Sequence, residues 1–130
     1  MPSHDNSYRR SFEEPDDHKI KGGVKVDVAK LGELTVKRAT YPPGWRFSKD
    51  MGANRCIDTH VGYLASGEIH VILSDATELD IKAGEAVMIP AGHDAWVVGE
   101  EPVVLVQFDE GEPAAKRFGV KPPLPRATAA

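Results

Sequence analysis

One thiol and two imidazoles, Cys56, His60 and His93, are the side chains of this 130-residue sequence whose types could combine in chemistry. A thiolate with two imidazoles is a three-ligand set that leaves one metal position open, the arrangement of catalytic zinc sites. Soft sulfur with nitrogen favours zinc, or copper or nickel, over a hard ion bound by oxygen. Spacing sets a condition on this set. Cys56 and His60 share strand parity, yet on one straight strand they would stand about 13 Å apart at about 3.3 Å per residue. They can meet at one ion only if the chain bends between them. Asp58 and Asp94 are the nearest carboxylates, and Asn54, a neutral amide, is a poor zinc ligand. A purely structural reading stands beside the metal reading: a lone buried cysteine fills a core as a small hydrophobe, and a histidine after the Pro90-Ala91-Gly92 turn hydrogen-bonds the backbone.

Other chemistries fail on composition. The sequence has no Gly-rich phosphate loop with a lysine, no Gly-x-Ser-x-Gly elbow and no Cys-x-x-Cys pair. A Cys56–His60 nucleophile and base pair has no visible third group to orient the base. Trp45, Phe47 and Trp96 are the notable aromatic residues, and Trp45 and Phe47 share parity. They can shape the mouth of a pocket or simply pack. Gly62 and Leu64 lie on the same strand face as His60, and Gly62 removes bulk beside it. His70, between Ile69 and Val71, is expected on the opposite face of its strand.

These side chains need a β framework. Short runs of β-branched and apolar residues recur between Gly, Pro and Asp punctuation, the pattern of an all-β sandwich or barrel. Strands are expected at Val24–Val28, Leu34–Tyr41, Gly44–Phe47, Cys56–Ala65, Glu68–Leu73, Thr77–Ile81, Ala86–Ile89, Ala95–Val98 and Val103–Phe108. Residues 1–18 are polar and charged, which predicts a mobile arm. From 111 to 130 the chain is a Pro-rich tail, leaving 19–110 as one domain.

Apolar residues make up 41% and charged residues 28%, ordinary for a soluble protein, and no apolar run nears the roughly 20 residues that span a bilayer. No membrane partner is expected. The formal charge of −4 and the absence of a Lys/Arg stripe argue against nucleic acid. A single cysteine makes no intrachain disulfide, and the first residues have no apolar signal core, so a reducing cytoplasm is expected.

Two stretches carry a family resemblance: Asn54-Arg55-Cys56-Ile57-Asp58-Thr59-His60-Val61-Gly62-Tyr63-Leu64-Ala65-Ser66-Gly67 and Gly84-Glu85-Ala86-Val87-Met88-Ile89-Pro90-Ala91-Gly92-His93-Asp94-Ala95-Trp96. They resemble the two motifs of the cupin superfamily, His-x-His followed by Glu and Gly, then Gly, Pro-x-Gly and His. With Gly67 fixing the register, His60 takes the family's glutamate position, and Asn54 and Cys56 take its two histidine positions. Gly84, Pro90 and Gly92 match, but Ala95 stands where the histidine belongs and His93 lies two residues earlier. The chain is also similar to small single-domain bacterial cupins with Pro-Gly-Trp, Cys-x-x-x-His-x-Gly-Tyr and Gly-His-Asp-Ala-Trp motifs.

The resemblance implies a single cupin jelly-roll β-barrel, an antiparallel β-sandwich closed on itself. It also implies a bend in the first motif, with Asp58-Thr59 the place for it, and a homodimer. Together with the residue chemistry it leads to the expectation of a protein that holds a divalent metal, zinc, on Cys56, His60 and His93 and a small molecule in the barrel, with Trp45, Phe47, Gly62, Leu64 and Trp96 around the pocket. The alternative is a metal-free cupin that binds a small molecule as a binding or sensory module. Fold alone does not choose between them.

Overall fold

The computed structural model describes residues 8–108. Two antiparallel sheets pack face to face. Strands β1 (Asp17–Lys21), β2 (Val24–Leu31) and β3 (Leu34–Tyr41) form a meander, followed by a one-turn helix α1 (Phe47–Asp50) and β4 (His60–Ser66). Then come β5 (Glu68–Ile72), β6 (Glu78–Lys82), β7 (Ala86–Ile89), β8 (Asp94–Val97) and β9 (Val103–Phe108). The large sheet has the order β1-β2-β3-β9-β4-β7 and the small one β6-β5-β8. Among the described residues no helix is long and apolar enough to cross a membrane.

Period-two alternation supplies the core between the sheets. Val24, Ala39, Leu64, Val103 and Leu105 from the large sheet meet Ile69, Val71, Ile81, Ala95 and Val97 from the small one, all buried. The expected face of β4 is observed: Gly62 and Leu64 are buried while Val61 and Tyr63 are exposed. The β-sandwich is therefore as the sequence indicates, but the sheets do not close into a barrel. Pro90 has no N–H to extend a ladder, and Gly92, at φ 95°, turns the chain from one sheet to the other, so β7 and β8 belong to different sheets.

The loop between β3 and β4 patches the free edge of β8. In place of a Gly44–Phe47 strand there is a single bridge between Arg46 and Trp96, followed by α1. Two acids build that turn. The Arg46 N–H donates to Asp50 and the Ser48 N–H to Asp94, supplying acceptors that the first turn of a helix lacks. Further on, Cys56 forms a second isolated bridge, with His93. The expected strand from Cys56 to Ala65 is thus interrupted, and regular pairing begins only at His60.

Residues before β1 lie on the outer face of the large sheet. The Asp16 N–H donates to the Val28 carbonyl, Arg10 pairs with Asp16 at 2.8 Å, and Arg38 pairs with both Asp27 and Glu13. This covers Asp27 and Ala29, which are buried although they point away from the core. Strand β1 begins at Asp17, inside the stretch whose composition suggests an arm. Residues 1–7 and the Pro-rich tail at 111–130 lie outside the described residues.

Gly62 has a steric role. A Cβ there would run into the carbonyl oxygen of Val106 on the neighbouring strand β9 and crowd the Cα of Gln107 at 3.1 Å. The glycine permits this close approach of two backbones, and does not make room for a ligand. Gly62→Ala should therefore destabilise the fold by about 3 kcal/mol, the upper part of the overpacking range. Urea denaturation compared with the unaltered protein measures this directly.

Candidate metal centre

Three segments with different constraints bring Cys56, His60 and His93 together. His60 opens β4 opposite Ile89 of β7, held by regular pairing. Cys56 and His93 face each other across their bridge, in which the Cys56 N–H donates to the His93 carbonyl at 2.8 Å and the Gly92 N–H to the Cys56 carbonyl at 2.6 Å. The chain bends at Asp58, which folds the thiol back over the start of β4. Cys56 Sγ lies 3.5 Å from His60 Nε2. The imidazoles of His60 and His93 meet nearly edge to face, 5.1 Å between centroids.

The ligand atoms of the three residues all lie within 4.8 Å of one another. In a tetrahedral zinc site with Zn–S of about 2.3 Å and Zn–N of about 2.0–2.1 Å, ligand atoms stand about 3.3–3.6 Å apart. The Cys56–His60 separation already has that value, and a pair at the full 4.8 Å closes to it by a side-chain adjustment of about 1.2–1.5 Å. The three residues thus form a group able to hold a metal ion.

The partners of the two rings strengthen that fit. His93 Nδ1 donates to the Pro90 carbonyl at 2.7 Å, and His60 Nδ1 is 2.7 Å from Oε1 of Gln107. A carbonyl can only accept, so each Nδ1 carries a proton and each Nε2 is turned toward the ligand group, where it donates to the metal-free thiolate and would give up that proton to ligate a metal. Outer partners of this kind fix tautomer and ring orientation in metal sites. Gln107 is itself buried. Sequence reasoning passed over it, although a signal was present: Val103, Leu105 and Gln107 alternate onto the core face of β9, and a polar residue in that row needs a partner.

Electrostatics favour the thiolate. Burial by itself pushes the Cys56 thiol up, but hydrogen bonds from His60 and His93, a backbone hydrogen bond at Asp58 and the charge of His60 outweigh it and bring the group down to about 6. A thiolate is the form that binds metal.

A cavity of about 330 Å³ opens beside these groups between the sheets. Cys56, His60, His93, Asp58 and Gln107 form its polar side, and Trp45 and Phe47 belong to its apolar wall. Tyr41 packs against Trp45 at 4.8 Å, and Trp45 meets Phe47 edge-on at 6.3 Å. The other three expected pocket residues lie elsewhere. Leu64 is fully packed in the core, and Gly62 is the close-approach point between β4 and β9. Trp96 is on the outer face of the small sheet because its neighbours Ala95 and Val97 take the inner positions of β8. There it is stacked between His70, 4.5 Å away, and the Arg46 guanidinium, 4.4 Å away. His70 faces outward as expected, hydrogen-bonded to Asp80 and Glu78.

Asn54 is exposed in the loop, and among the described residues it stands apart from the group of Cys56, His60 and His93. Asp94 serves the scaffold. It receives Arg46 at 3.0 Å and the Ser48 N–H at 3.1 Å. Burial raises its pKa, but the hydrogen bonds of Ser48 and Arg46 prevail and hold it below the usual carboxylate value.

No family model matches the sequence, and no curated protein matches it. Solved structures do. KdgF from a Halomonas species is similar at a TM-score of 0.57 and 17% identity, over 82% of this chain and 94% of that one. An RmlC-like cupin from Shewanella frigidimarina matches at a TM-score of 0.55 and 18% identity, over 85% and 94% of the two chains. The cupin domain of Schizosaccharomyces pombe Cnp3 matches at 0.50 and 20% identity, over 75% and 68%. The described residues share the fold of these cupins, with the large and small sheets as the two layers of the jelly roll.

Two outcomes test this geometry. In metal-free protein the Cys56 thiolate, followed by its ultraviolet absorbance, should titrate near the value of about 6 and so predominate at neutral pH. His60→Ala should move that titration upward, because it removes a lowering partner and leaves burial in place. For Asp94 the folded pKa is depressed, so its stabilisation is present above the unfolded carboxylate value and is lost as pH falls through the folded one. Asp94→Asn should then cost about 1–2 kcal/mol at neutral pH. The difference in melting temperature between the two proteins should shrink on acidification.

Proposed function

We propose that this protein is a cupin that binds a divalent metal ion, zinc, on Cys56, His60 and His93, and a small molecule in the adjoining cavity. The observation that carries this reading is the pair of anchored imidazoles: Pro90 and Gln107 engage both Nδ1 atoms, which leaves Nε2 of each ring for the ligand group that includes the thiol. Sulfur with two nitrogens favours zinc over a hard cation. Bound there, such an ion has a position open to polarise a ligand oxygen or activate water. The chain's own residues do the rest. Gln107 and Pro90 orient the rings, Trp45 and Phe47 exclude water from one wall, and Cys56 supplies the anionic ligand.

The cavity volume of about 330 Å³ suits a small molecule. Homodimeric assembly belongs to the same proposal, supported by the exposed apolar Val61, Tyr63 and Met88 on the outer face of the large sheet. So does a cytoplasmic setting, which keeps the single thiol reduced. The rival reading, a metal-free binding or sensory module, draws on the same 3.5 Å contact, with Cys56 and His60 as a hydrogen-bonded pair.

Elemental analysis of protein purified without added metal separates the two. Stoichiometric zinc, reduced to background in Cys56→Ala and His60→Ala while both variants still melt cooperatively, is the expected result. Protein that carries no metal and takes up none on dialysis against zinc would leave the binding module as the function.

A further inference from the structure

The inner face of the large sheet carries a charge that core packing does not explain. Register places Val28, Lys37, Gln107 and Gly62 in one row across β2, β3, β9 and β4. Paired residues in such a row lie side by side on one face. Lys37 is therefore the direct neighbour of Gln107, which holds His60. The inward parity of β3 continues through Ala39 and Tyr41, both buried. Lys37 at that parity is half-buried and lines the cavity, so its stem covers apolar surface beside Val28 while its ammonium reaches for water at the cavity's opening.

Lys19 and Lys21 lie opposite Val26 and Val24 on β1 and line the same cavity. Among the described residues Asp58 is the only carboxylate on this wall, and with the Cys56 thiolate it leaves the three lysines in the majority. None of the three lysines takes part in an ion pair among the described residues, where Arg10, Arg38 and Arg46 all do. The cavity is thus locally cationic in a chain of net charge −4, a polarity that concentrates anions. A second, independent observation concerns the apolar part of the wall: Trp45 packs between Tyr41 and Phe47, so the three rings together give an apolar body a surface to lie on.

We infer that the ligand of this cavity is a small organic anion with an apolar body, its carboxylate held by Lys37 with Lys19 and Lys21 at the rim. This rests on the reading of the cavity as a small-molecule site, and does not depend on the metal. The apolar body would lie against Tyr41, Trp45 and Phe47, with the polar end toward Gln107.

Calorimetric titration of the full-length protein with hexanoate and with its neutral counterpart hexanamide tests this, before and after treatment with a chelator. Hexanoate should bind saturably and more tightly than hexanamide. Lys37→Met, which keeps the stem and removes the charge, should weaken hexanoate about tenfold or more and leave hexanamide unchanged. Lys37→Arg should retain most of the preference. Equal binding of the two probes, no saturable binding of hexanoate, or indifference to Lys37→Met would each overturn the inference. If chelation abolishes hexanoate binding while Lys37→Met has no effect, the anion sits on the metal; the lysine assignment fails and the metal reading stands. If no metal is found and the Lys37 dependence persists, the metal reading fails and the anion site stands.

Discussion

The backbone bridge between Cys56 and His93 is the constraint on which the site depends. Two short hydrogen bonds pin an irregular loop to the edge of β8. Because they are main-chain bonds, they set the separation of the two residues regardless of their side chains. The thiol and the second imidazole are thereby fixed relative to each other, and the bend at Asp58 then has only to deliver His60. Each of the three side chains is held by a different means: His60 by the β4–β7 ladder, Cys56 by the bridge, and His93 by the bridge and the Pro90 carbonyl. The rings need little reorientation at the moment of binding, since Gln107 and Pro90 already hold both Nδ1 atoms.

Much of this was legible in the sequence. Alternating burial and Gly/Pro punctuation are local properties, so strands β3, β7 and β9 appear where the pattern places them, and the parity of His60, Gly62 and Leu64 follows from the pleat. Cys56, His60 and His93 could be singled out because thiol and imidazole side chains are few. The tertiary consequences were less accessible. Gly62 looked like space beside His60, but the approach of β9 fills that space, and no one-dimensional pattern reports the distance between two strands. Trp96 looked like a pocket residue because aromatics line pockets; its outward parity is fixed by Ala95 and Val97, and its partners Arg46 and His70 come from distant segments. Closure of the barrel could not be read at all, because it depends on whether β7 and β8 find each other after the Pro90 turn.

Gln107 and Lys37 illustrate a general reading rule. Both are polar residues at inward parity among apolar neighbours, and both adjoin the cavity. A strand that interrupts its own alternation must satisfy the interruption somewhere. In this fold the two interruptions fall in the same cross-strand row, which converts separate local anomalies into a single polar track running across an otherwise apolar sheet.

The open edge of the sandwich has a thermodynamic corollary. A closed barrel would wall the cavity with continuous ladders, and admitting a solute through it would mean breaking several strand pairings together. Here the wall beside the thiol is a loop attached by isolated bridges, so its detachment is a local opening whose free energy lies well below that of global unfolding. The β3–β4 loop carries the thiol and is attached less firmly than the ladders, so anything that bridges Cys56 to the sheet residues would also fasten that loop.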